Sequence, residues 1–123
     1  MINIEKNEPL NLNEINDFIS NVDFILPENF IDFFYESNGA EISTNSTFVV
    51  IWKLTDMIQW NIDYQVSEYA SNFFIFGSDG AGIAYSIERT TGFIFEFDFI
   101  CMSNDDAIFI NKTFSGFIQN LPD

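Results

Sequence analysis

Four carboxylates in the middle of the chain are the residues whose types and spacing could support chemistry. They are Asp79, Glu88, Glu96 and Asp98. Two carboxylates beside a cleft can act as general acid and base, or they can hold a divalent cation. A charged strand face is more often simply solvated or turned toward a protein partner, so we treat these four as candidate partner-binding residues. The sequence indicates no catalytic, cofactor-binding or metal-binding set.

Missing residue types exclude most other catalytic sites. The chain has no histidine, which excludes Ser-His-Asp and Cys-His nucleophiles and most zinc sites. The glycines of residues 77–82 follow the order G-x-x-G-x-G, whereas dinucleotide-binding loops use G-x-G-x-x-G. A plain turn is therefore favoured there. Cys101 is the only cysteine, and its apolar neighbours predict a small buried side chain rather than a nucleophile.

The charge of the chain limits its partners. Its 123 residues carry 19 Asp and Glu against 4 Lys and Arg, a formal net charge of -15. Nucleic acid and anionic membrane both repel such a surface. Two explanations of the excess negative charge stay open: it serves general solubility, or it attracts a basic macromolecular partner. The N-terminus has neither the basic head nor the apolar stretch of a signal peptide, so we expect a cytoplasmic protein.

The stretch 73–100 must position the four carboxylates, and it predicts three strands. Phe73 to Gly77 is a short apolar run, and alternating strands follow from Ile83 and from Phe93. Thr90-Thr91-Gly92 resembles a three-residue hairpin loop closed by a left-handed glycine. That loop sets Tyr85 opposite Phe97 and Ser86 opposite Glu96. We therefore expect phenylalanines and helices on one face of the sheet, and the acids on the other.

Helical spacing frames these strands. The pattern predicts helices over about 13–21, from Pro27 to about residue 37, and over 113–121. Residues 1–11 are expected to form an arm or edge segment, 48–52 a strand, and 55–60 a helical turn or a continued strand; 61–72 carry no clear pattern. Trp52 and Trp60 are expected first as core anchors and second as interface residues. Helices at both ends of a mostly antiparallel sheet predict a single α+β domain, with the terminal helices on one face.

Several motifs resemble the SUKH superfamily. Leu26-Pro27-Glu28-Asn29-Phe30, with Phe33-Phe34 and Asn38-Gly39-Ala40, is similar to the family's LPxxφxxFφxxxNGG opening. Phe76 to Gly82 and the SFxxFφ-like helix at Thr113 to Ile118 continue the similarity, so it covers residues 26–121 of a domain expected to span 1–123. Ala40 and Ala81 stand where the family often has glycine.

The resemblance implies an immunity protein of a bacterial polymorphic toxin system, which binds and neutralises a cognate toxin, often a nuclease. Fungal relatives regulate cell-wall synthesis through protein contacts, so a regulatory adaptor is the alternative. A carboxylate-dependent or metal-dependent enzyme is the rival from another class. The family has no fixed catalytic set, and its toxin-contacting surface varies. The expected partner is a cationic protein.

Overall fold

A computed structural model, which describes residues 2–123, shows one antiparallel sheet of seven strands. Their order, β1-β2-β3-β4-β5-β6-β7, pairs each strand with the next along the chain. The strands are β1 Asn3–Lys6, β2 Ala40–Ser43, β3 Phe48–Ile51, β4 Phe73–Ser78, β5 Ile83–Glu88, β6 Ile94–Asp98 and β7 Ile108–Asn111. The helices are α1 Leu12–Asn21, α2 Phe30–Glu36, α3 Leu54–Asp63, α4 Val66–Tyr69 and α5 Phe114–Gln119. The predicted α+β class is confirmed.

The first and last helices begin at side-chain caps. The Asn11 side chain accepts a hydrogen bond from the Glu14 N–H at 2.9 Å, and the Glu14 carboxylate accepts one from the Asn11 N–H at 3.3 Å. This reciprocal capping box satisfies two N–H groups that the helix leaves unpaired. The Thr113 hydroxyl likewise accepts from the Gly116 N–H at 2.9 Å. Capping places the start of α1 after Asn11, slightly earlier than predicted.

Helices from both ends of the chain cover one face of the sheet, as predicted. Phe76 of β4 lies at the centre of this packing, with its ring centroid 6.2 Å from Phe30 of α2 and 5.3 Å from Phe114 of α5. On β5, Tyr85 packs against Phe117 of α5 at 5.1 Å. We call this side the helix face. Offset and edge-to-face aromatic pairs of this kind stabilise the core beyond the area they bury.

The predicted pairing of β5 with β6 is wrong by one residue. Tyr85 lies opposite Glu96, and Ser86 lies opposite Phe95. The loop has four residues instead of three, because the Glu88 N–H donates to the Phe93 carbonyl at 2.8 Å. A slip of one residue reverses which side chains share a face. The phenylalanines of β6 therefore lie on the face opposite the helices, and Glu96 shares the helix face with Tyr85.

This second face is also covered, so the sheet has no wholly polar side at its centre. Its buried residues are Phe73, Ile75, Ala84, Ser86 and Phe97. The connection from β6 to β7 returns along the hairpin, since the Phe99 N–H bonds to Gly82 at one end and the Asn104 side chain accepts from the Asn72 N–H at the other. Met102 of this connection packs on the core. Cys101, predicted to be buried, is exposed there.

Residues 54–69, which the sequence left open, form α3 and α4 and complete the edge of β4. Beyond Ile51 the chain leaves the sheet, so β4 loses its neighbour on that side. The buried Asn61 side chain takes over: its amide donates to the Ile75 carbonyl at 2.8 Å and accepts from the Ile75 N–H at 2.8 Å. The Asn61 amide thus makes the two hydrogen bonds that a neighbouring strand would make. The Ile75 N–H and carbonyl need such partners because buried backbone groups must be hydrogen-bonded.

Candidate protein-binding surface

Asp79 organises the turn between β4 and β5. Its Oδ1 atom accepts hydrogen bonds from the Ala81 N–H at 2.8 Å and from the Ile83 N–H at 2.9 Å. Gly80 supplies the positive φ, 76°, that the reversal needs and that side chains rarely adopt. Aspartate suits this position because its short carboxylate can bond its own backbone two residues on. Asp79 is therefore a structural residue as well as an acidic one.

Glu96 and Asp98 lie beside this turn on the helix face. Glu96 is opposite Tyr85, and Asp98 is opposite Ile83. Burial raises the pKa of the half-buried Glu96 carboxyl, and the charges of Asp79 and Asp98 raise it further. Burial, followed by the charges of Glu96 and Asp79, raises the pKa of Tyr85 to about 12. Asp79 thus raises the pKa of both groups, and we call Asp79, Glu96 and Asp98 the acidic end.

Glu88 lies apart from the acidic end. It is opposite Phe73 on β4, which places it on the second face and at the far end of the hairpin. Its carboxylate accepts a hydrogen bond from the Thr91 hydroxyl at 2.6 Å, within the β5–β6 loop. The structure therefore brings together three of the four candidate residues and separates the fourth. The register accounts for the difference, because Glu88 and Glu96 have opposite parity on their paired strands.

A cavity of about 230 Å³ adjoins the acidic end. Tyr85 and Glu96 line one side of it, and Phe117 with Leu121 from the C-terminal segment lines another. It combines an apolar wall with a carboxylate. Pockets of this kind suit the aliphatic stem and charged tip of a lysine or arginine.

A second cluster is aromatic, and the sequence pattern alone did not predict it. Trp52 packs against Trp60 at 5.0 Å, and Tyr64 packs against Phe99 at 4.7 Å. Trp52 is 9% exposed and Trp60 is 42% exposed, so the first is a core anchor and the second is available to a partner. The spacing of Trp60 and Tyr64, i and i+4 on one helix face, is the signal that could have identified the pair.

Within residues 2–123, no group of three or more His, Cys, Asp or Glu side chains is arranged to hold a metal ion. No helix in that part of the chain is long and apolar enough to cross a membrane.

Comparison with protein families identifies the chain. The model of the SMI1/KNR4 family (SUKH-1) matches residues 9–120. The chain belongs to the SMI1/KNR4 family. No curated protein matches it. The match begins in the segment before α1 and ends just after α5, so in this SUKH-1 chain it covers strands β2 to β7 and all five helices, and it leaves out β1.

Membership in SUKH-1 confirms the resemblance drawn from the motifs. The opening motif forms α2 and the start of β2, and Asn38 has a visible role there. Its side chain accepts a hydrogen bond from the Leu54 N–H at 2.7 Å, which joins the end of α2 to the start of α3. Gly39 follows with a φ of 80°, and a Cβ there would lie 2.5 Å from the Ile51 carbonyl oxygen. Gly39 is thus required by close backbone packing, whereas Asn38 acts through its side-chain hydrogen bond.

Proposed function

We propose that this SUKH-1 chain is a non-enzymatic, cytoplasmic immunity protein that binds and neutralises a cationic toxin of a bacterial polymorphic toxin system. The class of toxin that the resemblance favours is a nuclease. The observation that carries the proposal is the large excess of negative charge in this member of the family. Part of that charge, the acidic end, lies beside a cavity on the helix face.

The few cations leave this field largely unopposed. Two of the four pair with acids away from the acidic end: Lys6 with Glu36 at 3.3 Å and Arg89 with Asp23 at 2.9 Å. Surface pairs of this type add little to stability, but they neutralise positive charge that would weaken the field. A net charge of -15 accelerates association with a positively charged protein and suppresses binding to acidic ones.

Co-purification with the tagged chain from its own cells tests the proposal. The expected result is one stoichiometric basic protein whose toxicity disappears when the chain is co-expressed. A stoichiometric partner that is not toxic would instead support a regulatory adaptor. If the chain neutralised a toxin only by chemically altering it, the non-enzymatic part of the proposal would be wrong.

Association kinetics with that toxin test the acidic end itself. Glu96→Lys combined with Asp98→Lys should slow association at low salt by about tenfold or more, because electrostatic steering raises association rates by about 10–1,000-fold. The effect should fade as salt shortens the screening length to about 8–10 Å.

A matched control is Glu5→Lys combined with Glu41→Lys. These two exposed acids lie opposite each other on β1 and β2, so the control reverses the same number of charges on another part of the sheet. Equal slowing by both double variants would assign the effect to overall charge and remove the acidic end from the proposal.

A further inference from the structure

The last strand, β7, is an unpaired edge of the sheet. Within residues 2–123, β7 pairs only with β6, and β1 forms the opposite edge. Alternate residues of an edge strand turn their N–H and C=O groups outward, where another strand can pair with them. Proteins usually protect such edges with charged side chains. β1 follows this rule, since Glu5 and Lys6 occupy half of its four residues.

β7 lacks this protection. Its sequence is Ile-Phe-Ile-Asn, with Ile108 63% exposed and Phe109 48% exposed. Phe109 continues an aromatic row on the second face, with its ring centroid 5.8 Å from Phe93 and 5.6 Å from Phe95. Both of those phenylalanines are partly exposed. The outward backbone groups and this apolar row together form what we call the β7 edge.

The charges beside the β7 edge select its occupant. Asp105 and Asp106 are exposed and are separated from the strand only by Ala107, and Glu96 lies opposite Ile108. The nearest cation in sequence is Lys112. A second copy of this chain would bring a further net charge of -15 against these acids, whereas a strand flanked by lysine or arginine would be attracted.

We propose that the β7 edge binds an extended strand of a cationic protein by strand addition. The partner's backbone continues the sheet beyond β7, its apolar side chains cover Phe109 on the second face, and its basic side chains lie on the helix face beside Glu96. Main-chain hydrogen bonds supply affinity in this mode of recognition, and alternate side chains supply specificity. The proposal rests on the proposed function only for the positive charge of the partner.

A synthetic peptide tests the β7 edge without the toxin. The probe is a ten-residue peptide that alternates lysine and valine, and the readouts are NMR chemical-shift changes and amide hydrogen exchange of the full chain. At about ten times its dissociation constant, the peptide should slow exchange of the outward amides of residues 108–111 about tenfold. The amides of residues 3–6 should exchange unchanged.

Two comparison peptides and two variants make the result decisive. A peptide that alternates glutamate and valine should not bind, and one with the lysines and valines in separate blocks should not slow exchange at β7. Ile108→Lys should abolish binding. Ile4→Lys makes the same change at an exposed position on β1, 40% exposed in the protein, and should retain it.

Three outcomes would overturn the proposal: peptide binding without protection of residues 108–111, equal binding of the acidic peptide, or equal losses in the two variants. Concentration-dependent self-association that protects β7 in the absence of peptide would make a second copy the occupant instead. Failure here leaves toxin neutralisation untouched, because that is measured with the toxin itself. Failure to find a toxin equally leaves the peptide result standing.

Discussion

The strands at the centre of the sheet and those at its edges follow different rules. Residues 73–77 of β4 and 84–87 of β5 are all buried, whereas every residue of β1 is exposed. The central strands are covered by helices on one face and by the β6–β7 connection and its neighbours on the other. At the centre of the sheet, alternate side chains therefore point into two different apolar environments. Only toward the edges does alternation separate buried apolar residues from solvent-exposed ones.

The comparison explains why the acids are where they are. A charged side chain cannot lie at the middle of a strand that is buried on both faces unless it is paired. β6 is covered less completely than β4 and β5: its middle residue, Glu96, is half-buried beside the cavity, Asp98 ends the strand, and Glu88 closes β5. The acidic positions thus mark where coverage ends, and they do not mark a polar face.

The largest expected effect comes from truncating a central ring. Phe76→Ala should reduce the free energy of unfolding by about 3–5 kcal/mol, because it removes a fully buried ring and leaves a cavity. Phe109→Ala, at the β7 edge, should cost less than about 1 kcal/mol. Urea denaturation of both variants measures the difference. Similar losses would show that the edge is packed as tightly as the centre.

The second prediction concerns Asn61, which replaces a strand neighbour for β4 where β3 ends. Asn61→Ala leaves the Ile75 N–H and carbonyl without their partners. We expect a loss of about 2–4 kcal/mol, from about 1–2 kcal/mol for each of the two groups, which is the lower part of the range for a buried unpaired group. Gln59→Ala is the control on the same helix, since its hydrogen bond to Asp63 is exposed. That variant should remain within about 0.5 kcal/mol of the parent protein. Equal losses would mean that the Asn61 hydrogen bonds contribute no more to stability than the exposed bond of Gln59.

The third prediction concerns Tyr85 and the dependence of stability on alkaline pH. Its folded pKa of about 12 exceeds the ordinary value of 10.0, so the folded state holds the phenolic proton more tightly than the unfolded chain. The resulting stability is present below pH 10 and is lost as the pH rises toward 12. Tyr85→Phe should remove this part of the alkaline loss in unfolding measurements from pH 9 to 12. An unchanged slope would indicate that Tyr85 titrates as a solvated tyrosine.

Glu96, on the next strand, should produce the smallest effect. Because its folded pKa is raised, stability declines as the pH rises through the titration of this carboxyl. Glu96→Gln should therefore stabilise the protein at pH 7, by less than about 1 kcal/mol since the group is partly solvated. The gain should vanish once the pH falls below the ordinary glutamate value of 4.5. A variant that is less stable than the parent at pH 7 would contradict the assigned direction.

The sequence by itself determined the α+β class, the family and the terminal helices. Periodic apolar residues and caps such as Thr113 act within one or two turns, so local spacing is sufficient to locate α1, α2 and α5. The strands from Phe73 and Ile83 are equally visible, because β-branched and aromatic runs bounded by glycine have few alternatives. The opening motif of the family is visible in the sequence for the same reason, because its residues are close together along the chain.

Only the tertiary structure decided which face each strand residue occupies. The β5–β6 register depends on whether Arg89 belongs to the ladder or to the loop. Arg89 bonds Asp23, which lies just beyond α1, at 2.9 Å, and that contact joins residues 66 positions apart. The covering of the second face and the pairing of Asn61 with Ile75 also join distant segments. Such contacts depend on how the whole chain closes, and this is why Glu88 was grouped with acids that lie on the opposite face.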